Sequence, residues 1–484
     1  MKRNLTIILA LLLLLSSCNN TNTEESTQNS GSNENEISET AAPETELTDT
    51  LIDKDFGGAT YTTLAAVEQW QNKIYADGLT GESFSDSIYE RDREIEDRYK
   101  VKFTPEIVNG YSAGMSIVAD KLKGTVMAGD GSYDLYIGSA VYASNVILQG
   151  VFQDQIAMGG MNFDAPWQYK NANDAMTINN KLYASAGHYH INTISDSVGV
   201  LFNKQLFDGI GIEYPYQTVL DGNWTYDTML EMAEQAPKDM NGDGNTDNQD
   251  RFGILSTNHE TVRFMAYGMG YLATEKDSDG IPQLLGTSEL NVNITDKLTA
   301  LMGNTNVYYM AQTDPAQEVL PMFANNQGLF VVYPLRIIET DTARDAEDFG
   351  IVPLPKYNEA QSGYYYPSMP GVAAFPTVLK DAEMSQIILE ALNAYTYTDV
   401  RPNYYDIILQ RKMTRDTESS AMIDLILEGA VMDAQLAFYF ALDPYLYAVD
   451  LFLPTQSFTT WWAGNETALQ TKLNTLLDFF EVEQ

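Results

Sequence analysis

The sequence predicts an α/β fold that contains a parallel sheet. Short apolar segments alternate with amphipathic helical segments between residues 59 and 137, and this alternation is typical of parallel strands joined by helices. Roughly 430 residues follow a polar N-terminal segment, which is enough chain for two domains. There is one cysteine in 484 residues, so core burial rather than disulfide bonding must stabilise the fold.

The predicted strands are short apolar or β-branched runs that are bounded by polar turns. Because several of them are separated by helical segments, parallel pairing is expected for the first three. The predicted strand segments are 59–67, 101–108, 133–137, 198–202, 328–333, 349–352 and 372–375.

The predicted helices are identified by apolar residues that recur on one face. One helix is expected over 84–99 and another at 122–128, and the chain after residue 396 is expected to be mainly helical. Trp461 and Trp462 precede the last helix and are expected in the core. The apolar stripe of the last helix consists of Leu469, Leu473, Leu476, Leu477 and Phe480.

The N-terminus has the pattern of an export signal. Lys2 and Arg3 are followed by an apolar run from Leu5 to Leu15, which has the length of a signal-peptide core and is short for a membrane span. The tetrapeptide Leu15-Ser16-Ser17-Cys18 resembles the bacterial lipobox. We therefore expect a lipoprotein signal peptide over residues 1–17 and acylation of Cys18. The alternative is an ordinary signal peptide with an incidental cysteine.

Residues 18–51 are predicted to form a lipidated, disordered acidic tether. The segment 19–50 is rich in Asn, Thr, Ser and Glu and has no basic residue, so it cannot bury enough apolar surface to fold. Flexible-chain scaling gives it a reach of about 30 Å. The expected location is extracytoplasmic, with the protein lipid-anchored to the outer face of the cell membrane.

The formal net charge of −39 excludes two classes of partner. A field this negative repels nucleic acid and anionic lipid headgroups. No apolar run after Cys18 reaches about 18 residues, so the lipid is the only membrane contact that the sequence predicts.

The segment 239–250 has the register of a calcium-binding loop. Oxygen-bearing side chains fall at the first, third, fifth, ninth and twelfth positions, a backbone carbonyl is available at the seventh, and Gly244 is at the sixth, as in an EF-hand loop. Asp at the last position resembles dockerin-type loops. We expect a structural Ca²⁺, and the alternative is a solvated acidic turn. The predicted ligands are Asp239, Asn241, Asp243, Asn245, Asp247 and Asp250.

Enzyme chemistry is not predicted. The segment 110–114 matches the G-x-S-x-G motif of hydrolases, but the preceding strand carries Pro105 and Glu106, unlike a buried central strand. The motif's Ser-acid-His order would also need a late histidine, and none follows His259. His188 and His190 could both face one transition metal, but the chain has only three histidines. This metal alternative is therefore weak.

Five short motifs extend in order over nearly the whole chain after the tether. They are Ser87 to Glu96, Tyr133-Asp134-Leu135, Ile178 to Tyr183 with Val200 to Phe207, Gly222 to Asp227, and Phe349 to Pro355. In their order and spacing these motifs together resemble the family 1 extracellular solute-binding proteins, which are maltose-binding-protein-like lipoprotein receptors of ABC importers.

This resemblance implies a two-lobed periplasmic-binding-protein-like fold with a ligand cleft between the lobes. The chain would cross between lobes near 182–185, 354–356 and 396–401. One lobe would contain residues 52–183 and 355–398, and the other would contain 184–354 and 399–484.

The resemblance also implies function. The protein would capture a carbohydrate, in particular an oligosaccharide, and deliver it to the permease subunits of an ABC importer without doing chemistry. It would act as a monomer. The alternatives are a receptor for a peptide or another polar solute, and an extracellular carbohydrate-active enzyme.

The residues expected to contact the solute are aromatic and polar side chains that follow strands or crossings on the cleft side. Aromatic faces suit the apolar C–H patches of sugars, and polar groups suit their hydroxyls. For each residue the alternative is ordinary packing or a surface loop. The candidates are Trp70, Ser139, Tyr142, His188, Tyr189, His190, Asn258, His259, Tyr333, Arg336, Tyr365 and Ser368.

Overall fold

Two five-stranded sheets organise the chain. The computed structural model describes residues 45–67, 73–109, 113–256, 259–311, 315–339, 348–406, 418–442 and 456–482. The strands are β1 Ala59–Val67, β2 Val101–Asn109, β3 Leu135–Ser139, β4 Ser185–Ala186, β5 Val198–Asn203, β6 Phe252–Ser256, β7 Thr274–Lys276, β8 Pro282–Leu284, β9 Tyr308–Met310, β10 Gly328–Pro334, β11 Phe349–Pro353, β12 Tyr366–Pro367, β13 Gly371–Ala374 and β14 Ala430–Val431.

Helices surround both sheets, and none in the described part of the chain is both long and apolar enough to cross a membrane. The helices are α1 Thr45–Thr48, α2 Ser83–Tyr99, α3 Ala113–Ala128, α4 Ala140–Ile147, α5 Gln155–Met158, α6 Lys170–Met176, α7 Asn192–Ser195, α8 Lys204–Ile210, α9 Tyr216–Leu220, α10 Tyr226–Ala233, α11 His259–Gly268, α12 Glu289–Gly303, α13 Pro315–Ala324, α14 Ala382–Tyr395, α15 Glu418–Glu428, α16 Ala434–Ala437, α17 Tyr439–Leu442 and α18 Phe458–Phe479, with a 3₁₀ helix at Leu335–Glu339 and a π-helix at Thr396–Val400.

The first sheet has the strand order β2-β1-β3-β13-β4. β1 pairs in parallel with both β2 and β3, which confirms the parallel α/β pattern predicted from the sequence. β13 pairs antiparallel with β3 and with β4. The sheet therefore contains a late strand that is inserted between two early ones.

The second sheet has the strand order β11-β5-β10-β6-β9. Here β5 pairs antiparallel with β10 and β11, and β6 pairs in parallel with β10 and β9. All residues of β5 and β6 are buried, as expected for central strands covered on both faces.

Alternation along the strands creates a core on each face of the first sheet. Leu64 and Tyr136 point into one cluster, and their neighbours Ala65 and Ile137 point into another, because successive strand residues face opposite sides. A third cluster surrounds the second sheet and includes the fully buried Trp224, whose Nε1 donates to the carbonyl of Pro353 at 2.8 Å.

Three segments connect the elements of the two sheets. Residues 187–197, which we call the first crossing, join β4 to β5, and residues 354–370, the second crossing, join β11 to β13. The third connection is the π-helix, which extends α14 directly into helical residues 401–406. The lobe crossings predicted near 182–185, 354–356 and 396–401 stay predictions, and β4 extends the first sheet past the predicted boundary at residue 183.

The C-terminal part of the chain is shared between the two sheets, whereas the prediction assigned 399–484 to the second lobe. Trp461 and Trp462 are buried, as expected, in the cluster of the second sheet. Leu473 and Phe480, at the other end of α18, are buried in a cluster of the first sheet, together with Phe438. A helix of 22 residues is about 33 Å long, so it reaches both cores.

Glu390 is an acidic residue inside the core of the first sheet. It lies on α14 with 9% exposure and accepts hydrogen bonds from the Asn162 backbone N–H at 3.1 Å and from Gln168 Nε2 at 3.3 Å. Burial disfavours its charged form and raises the pKa of this carboxyl from 4.5 to about 7.

We therefore expect Glu390→Gln to change how stability depends on pH. The folded state of the wild type retains a proton up to about pH 7, whereas the unfolded chain loses it near 4.5. The stability due to this proton is complete below 4.5 and is lost as pH rises through 7. The free energy of unfolding of Glu390→Gln, relative to wild type, should increase by roughly 3 kcal/mol between pH 4 and pH 8.

Urea denaturation at several pH values measures this difference. Glu383→Gln is the matched control, because Glu383 is on the same helix with a side chain that is 63% exposed, and its curve should run parallel to that of the wild type. Parallel curves for Glu390→Gln and wild type would contradict the prediction.

Candidate functional site

A cavity of about 370 Å³ lies between elements of the two sheets. This central cavity is bounded by the end of β3 and the start of α4, by the first and second crossings, and by α11, the 3₁₀ helix and α17. Its size is within the range of small-molecule sites. The lining residues are Ser139, Val141, Tyr142, His190, Asn192, Asp196, Glu260, Phe264, Pro334, Arg336, Pro367, Met369, Gly371, Tyr439 and Phe440.

The start of β13, directly after the second crossing, meets the first crossing at one side of the central cavity, where Gly371 lies against His190. A Cβ atom at position 371 would come within 2.1 Å of His190 Cγ, so this position requires glycine. Pairing of Gly371 with Ser139 brings β3 and α4 to the same place. The return of β13 into the first sheet thus assembles the cavity from segments that are distant in sequence.

Aromatic rings form part of the cavity wall. Tyr142 of α4 and Phe440 of α17 are stacked with ring centroids 5.7 Å apart and an interplanar angle of 26°. Tyr439 meets the Phe440 ring edge-on at 5.1 Å, and Phe264 contributes from α11. Phe440 is 40% exposed, which is unusual for a large apolar side chain and leaves its ring accessible to a solute.

The charged groups of the cavity are paired. Arg336 Nη1 is 2.6 Å from Asp196 Oδ1. Glu260 Oε1 is 3.5 Å from Nη2 of Arg263, a buried guanidinium of the same helix that is not itself part of the lining. Each carboxylate that lines the cavity therefore has a cationic partner within 4 Å.

His190 contributes an uncharged imidazole. Its side chain is buried, and this burial, together with the positive charge of Lys73, lowers its pKa to about 4. The ring is therefore neutral at neutral pH. Arg336 and the carboxylates Asp196 and Glu260 are the formally charged groups of the lining.

Four of the predicted solute contacts line the central cavity. They are Ser139, Tyr142, His190 and Arg336. Tyr333 lies beneath Arg336, whose guanidinium carbon is 5.7 Å from the Tyr333 ring centroid. Their assignment as contacts stays a prediction, but the fold brings them together.

Other candidates lie away from the cavity. His188 stacks on Tyr169 at 4.3 Å, and its Nδ1 is 3.1 Å from the Trp167 carbonyl; Tyr189 is buried in a core cluster of the first sheet. His188 and His190 thus have different surroundings and do not face one ion. In the first crossing the chain turns between residues 188 and 190, so only His190 faces the cavity.

Two further candidates, Ser368 and Tyr365, make hydrogen bonds with other parts of the protein, and the other positions or side chains lie outside the described residues. The buried Ser368 donates its backbone N–H to the Val431 carbonyl at 2.8 Å, and the Tyr365 hydroxyl hydrogen-bonds with Ser362 at 2.7 Å. Neither residue lines the central cavity. The positions and side chains that lie outside the described residues are Cys18, Trp70, Ser112 of the G-x-S-x-G segment, Asn258 and the side chain of His259.

Sequence reasoning missed several lining residues. Asn192 and Asp196 belong to the first crossing, and Phe264 and Phe440 belong to helices in which an aromatic residue signals packing. The position of Asn192 and Asp196 close after His190 was a usable signal. Nothing in the local pattern distinguishes Phe440 from a core phenylalanine.

The calcium-type loop is closed by its own hydrogen bonds. Asp239 accepts from the amides of Gly242 at 2.6 Å and Gly244 at 3.0 Å. Asp250, the buried member, accepts from the Met240 and Asp247 amides. Within the described ranges, no three or more His, Cys, Asp or Glu side chains are grouped as a metal site. The predicted Ca²⁺ stays a prediction.

Comparisons with known proteins found likeness in structure alone. No family model matches the chain, and no curated protein sequence matches it. The chain is similar to the crystal structure of UspC of M. tuberculosis, with a TM-score of 0.56 and 16% identity over 85% of this chain and 100% of that one.

Two further solved structures are similar. One is an ABC substrate-binding protein of Listeria monocytogenes in complex with cycloalternan (TM-score 0.52, 15% identity, 88% of this chain and 100% of that one). The other is an ABC transporter solute-binding protein of Thermotoga lettingae bound with α-D-tagatose (0.54, 13%, 86% and 100%). At these identities the likeness concerns the fold, and the predicted two-lobed binding-protein fold is confirmed.

Proposed function

We propose that this protein is an extracellular solute-binding protein that captures a carbohydrate and delivers it to the permease of an ABC importer. The observation that carries the proposal is the central cavity, which combines aromatic faces with internally paired charges between the two sheets. In this fold, closure of two lobes around a solute is the functional event.

The chemistry of the cavity favours an uncharged sugar over a peptide. Sugars present apolar C–H faces to aromatic rings and hydroxyls to polar groups, and the Tyr142–Phe440 stack offers such a ring surface. A free peptide carries two terminal charges, which need unpaired counter-charges when they are buried. Arg336 is already matched by Asp196. Two of the similar structures contain a carbohydrate, cycloalternan in one and α-D-tagatose in the other, which supports the same choice.

A thermal-shift panel tests the proposal. Purified protein is heated with maltotriose, cycloalternan, D-tagatose, glycerophosphocholine or trialanine, each in excess. We expect at least one sugar to raise the melting temperature, since a ligand at 100 times its Kd stabilises by about 2.7 kcal/mol. Trialanine should have no effect.

A variant of the aromatic wall makes this test specific. Phe440→Ala should weaken binding of the stabilising sugar by about tenfold, because one ring–sugar contact is lost. Leu220→Ala is the control, since Leu220 is a 57% exposed apolar residue outside the cavity lining. Stabilisation by trialanine alone would favour the peptide alternative, and formation of shortened sugars by the purified protein would favour an enzyme.

Membrane attachment belongs to the same proposal. A lipid on Cys18 and the acidic segment that follows would hold a binding protein close to its permease. Cys18→Ser should release the protein from the membrane fraction into the medium, as measured by immunoblotting of both fractions. Equal membrane retention of the variant would contradict lipid anchoring through this residue.

The loop from Asp239 to Asp250 is proposed to bind a structural Ca²⁺. The order of its oxygen-bearing residues supports this, as do Gly242 and Gly244, whose φ angles of +76° suit a tight cation-binding turn. Adding CaCl₂ to chelator-treated protein should raise its melting temperature. In Asp239→Asn/Asp243→Asn the effect should disappear. An unchanged melting temperature of the wild type would count against the site.

A further inference from the structure

Asn192 is a buried amide that makes no side-chain hydrogen bond within the described part of the chain. It lines the central cavity with 4% exposure, and neither its Nδ2 nor its Oδ1 has a partner there. Nδ1 of His190, which is two residues earlier on the same crossing and 5% exposed, is also without one. Both side chains belong to one wall of one cavity.

Buried polar side-chain atoms without a hydrogen-bond partner destabilise the folded state, so their presence calls for another explanation. Burying an amide without hydrogen bonds costs more than a net hydrogen bond contributes, and about nine in ten buried polar groups are paired. The backbone carbonyl of Asn192 is satisfied, because it accepts from the Asp196 amide at 2.8 Å and from Ser195 Oγ at 3.2 Å. Both polar atoms of the side chain that lines the cavity, in contrast, have no partner among the described residues.

The neighbouring polar side chains of the first crossing already have partners other than Asn192. The Asp196 carboxylate is paired with Arg336 at 2.6 Å, and the Ser197 hydroxyl donates to the Thr193 carbonyl at 3.0 Å or meets the Tyr366 hydroxyl at 2.8 Å. Asp196 and Ser197 therefore have protein partners. Among the described residues the Asn192 amide and His190 Nδ1 have none, and both residues line the cavity.

We infer that Asn192 is the specificity-determining residue of the central cavity, with His190 beside it, and that it selects a neutral solute that carries vicinal hydroxyls. The inference rests on the proposed function and deepens it. An amide presents one donor group and one acceptor side by side, and two neighbouring hydroxyls offer the matching acceptor and donor. A solute lacking this pair would leave the amide unsatisfied, which is how a buried polar group rejects a poor ligand.

The position of Asn192 adds a mechanical consequence. It is the first residue of α7, on the first crossing, which joins β4 of the first sheet to β5 of the second sheet. Hydrogen bonds from the solute to Asn192 and His190 therefore act on the connection between the sheets itself. The residue that selects the solute also restrains a connecting segment, where hinge motion is expected.

Asn192→Leu separates this role from a structural one. Leucine has a similar size and no polar atoms, so the ligand-free variant should melt about 1–3 °C higher than wild type, because an unsatisfied amide is removed. The sugar that stabilises the wild type among maltotriose, cycloalternan and D-tagatose should bind the variant about tenfold more weakly or worse. Calorimetry measures both quantities.

Asn173→Leu is the matched control. Asn173 is also a buried asparagine, at 3% exposure, but its amide donates to the Ala186 carbonyl at 3.0 Å and accepts from the Ala186 N–H at 2.6 Å. Its replacement should lower the melting temperature. A similar loss in ligand-free Asn192→Leu would mean that the amide has a structural partner in solution, and would overturn the inference.

Different results would contradict the carbohydrate-binding function and the role of Asn192. Wild type that responds to none of the three sugars would overturn the carbohydrate function and the vicinal-hydroxyl selection with it. Wild type that binds a sugar, with unchanged affinity in Asn192→Leu, would overturn the role of Asn192 alone. A more stable ligand-free variant with lost sugar binding is the result that supports the inference.

Discussion

The close approach of the first crossing and the start of β13, at His190 and Gly371, is the constraint on which the rest of the site depends. β13 enters the first sheet between β3 and β4, and it can do so only because residue 371 has no side chain where the His190 ring lies. This contact aligns the end of β3 with the second crossing. Ser139, Tyr142 and His190 then line one cavity although the chain separates them from Gly371 by some 180 residues or more.

The central cavity differs from well-satisfied positions in the cores around it. At such positions Arg91 bonds Asp92, Thr396 and the Ile74 carbonyl, and Asn173 bonds both backbone groups of Ala186. At the cavity a large aromatic ring is exposed and an amide is unsatisfied. Such local departures from the rules of stable packing are expected where a protein binds something.

The net charge of the whole chain and the charges of the cavity lining act on a solute over different distances. The whole chain is strongly acidic, which disfavours anionic partners over long range. The carboxylates of the cavity lining are nevertheless paired, because Asp196 and Glu260 each have a guanidinium within 4 Å. A neutral polar solute is compatible with both conditions: it meets little repulsion on approach and does not have to break an ion pair in order to bind.

Local sequence by itself determined half of the strands, some of the helices and only part of the site. The strands β1, β5 and β10 and the helix α2 were predicted within a residue or so at each end, because alternation and helical periodicity are properties of neighbouring residues. Ser139 and Tyr142, which line the cavity, were named as candidates because they follow a recognisable strand. The insertion of β13, the sharing of α18 between two cores, and the places of Asn192 and Phe440 in the cavity were decided by the tertiary structure. Each of these features depends on which distant segments pair. The residues next to an asparagine or a phenylalanine in the sequence do not show whether its side chain will face a core or a cavity after those segments have paired.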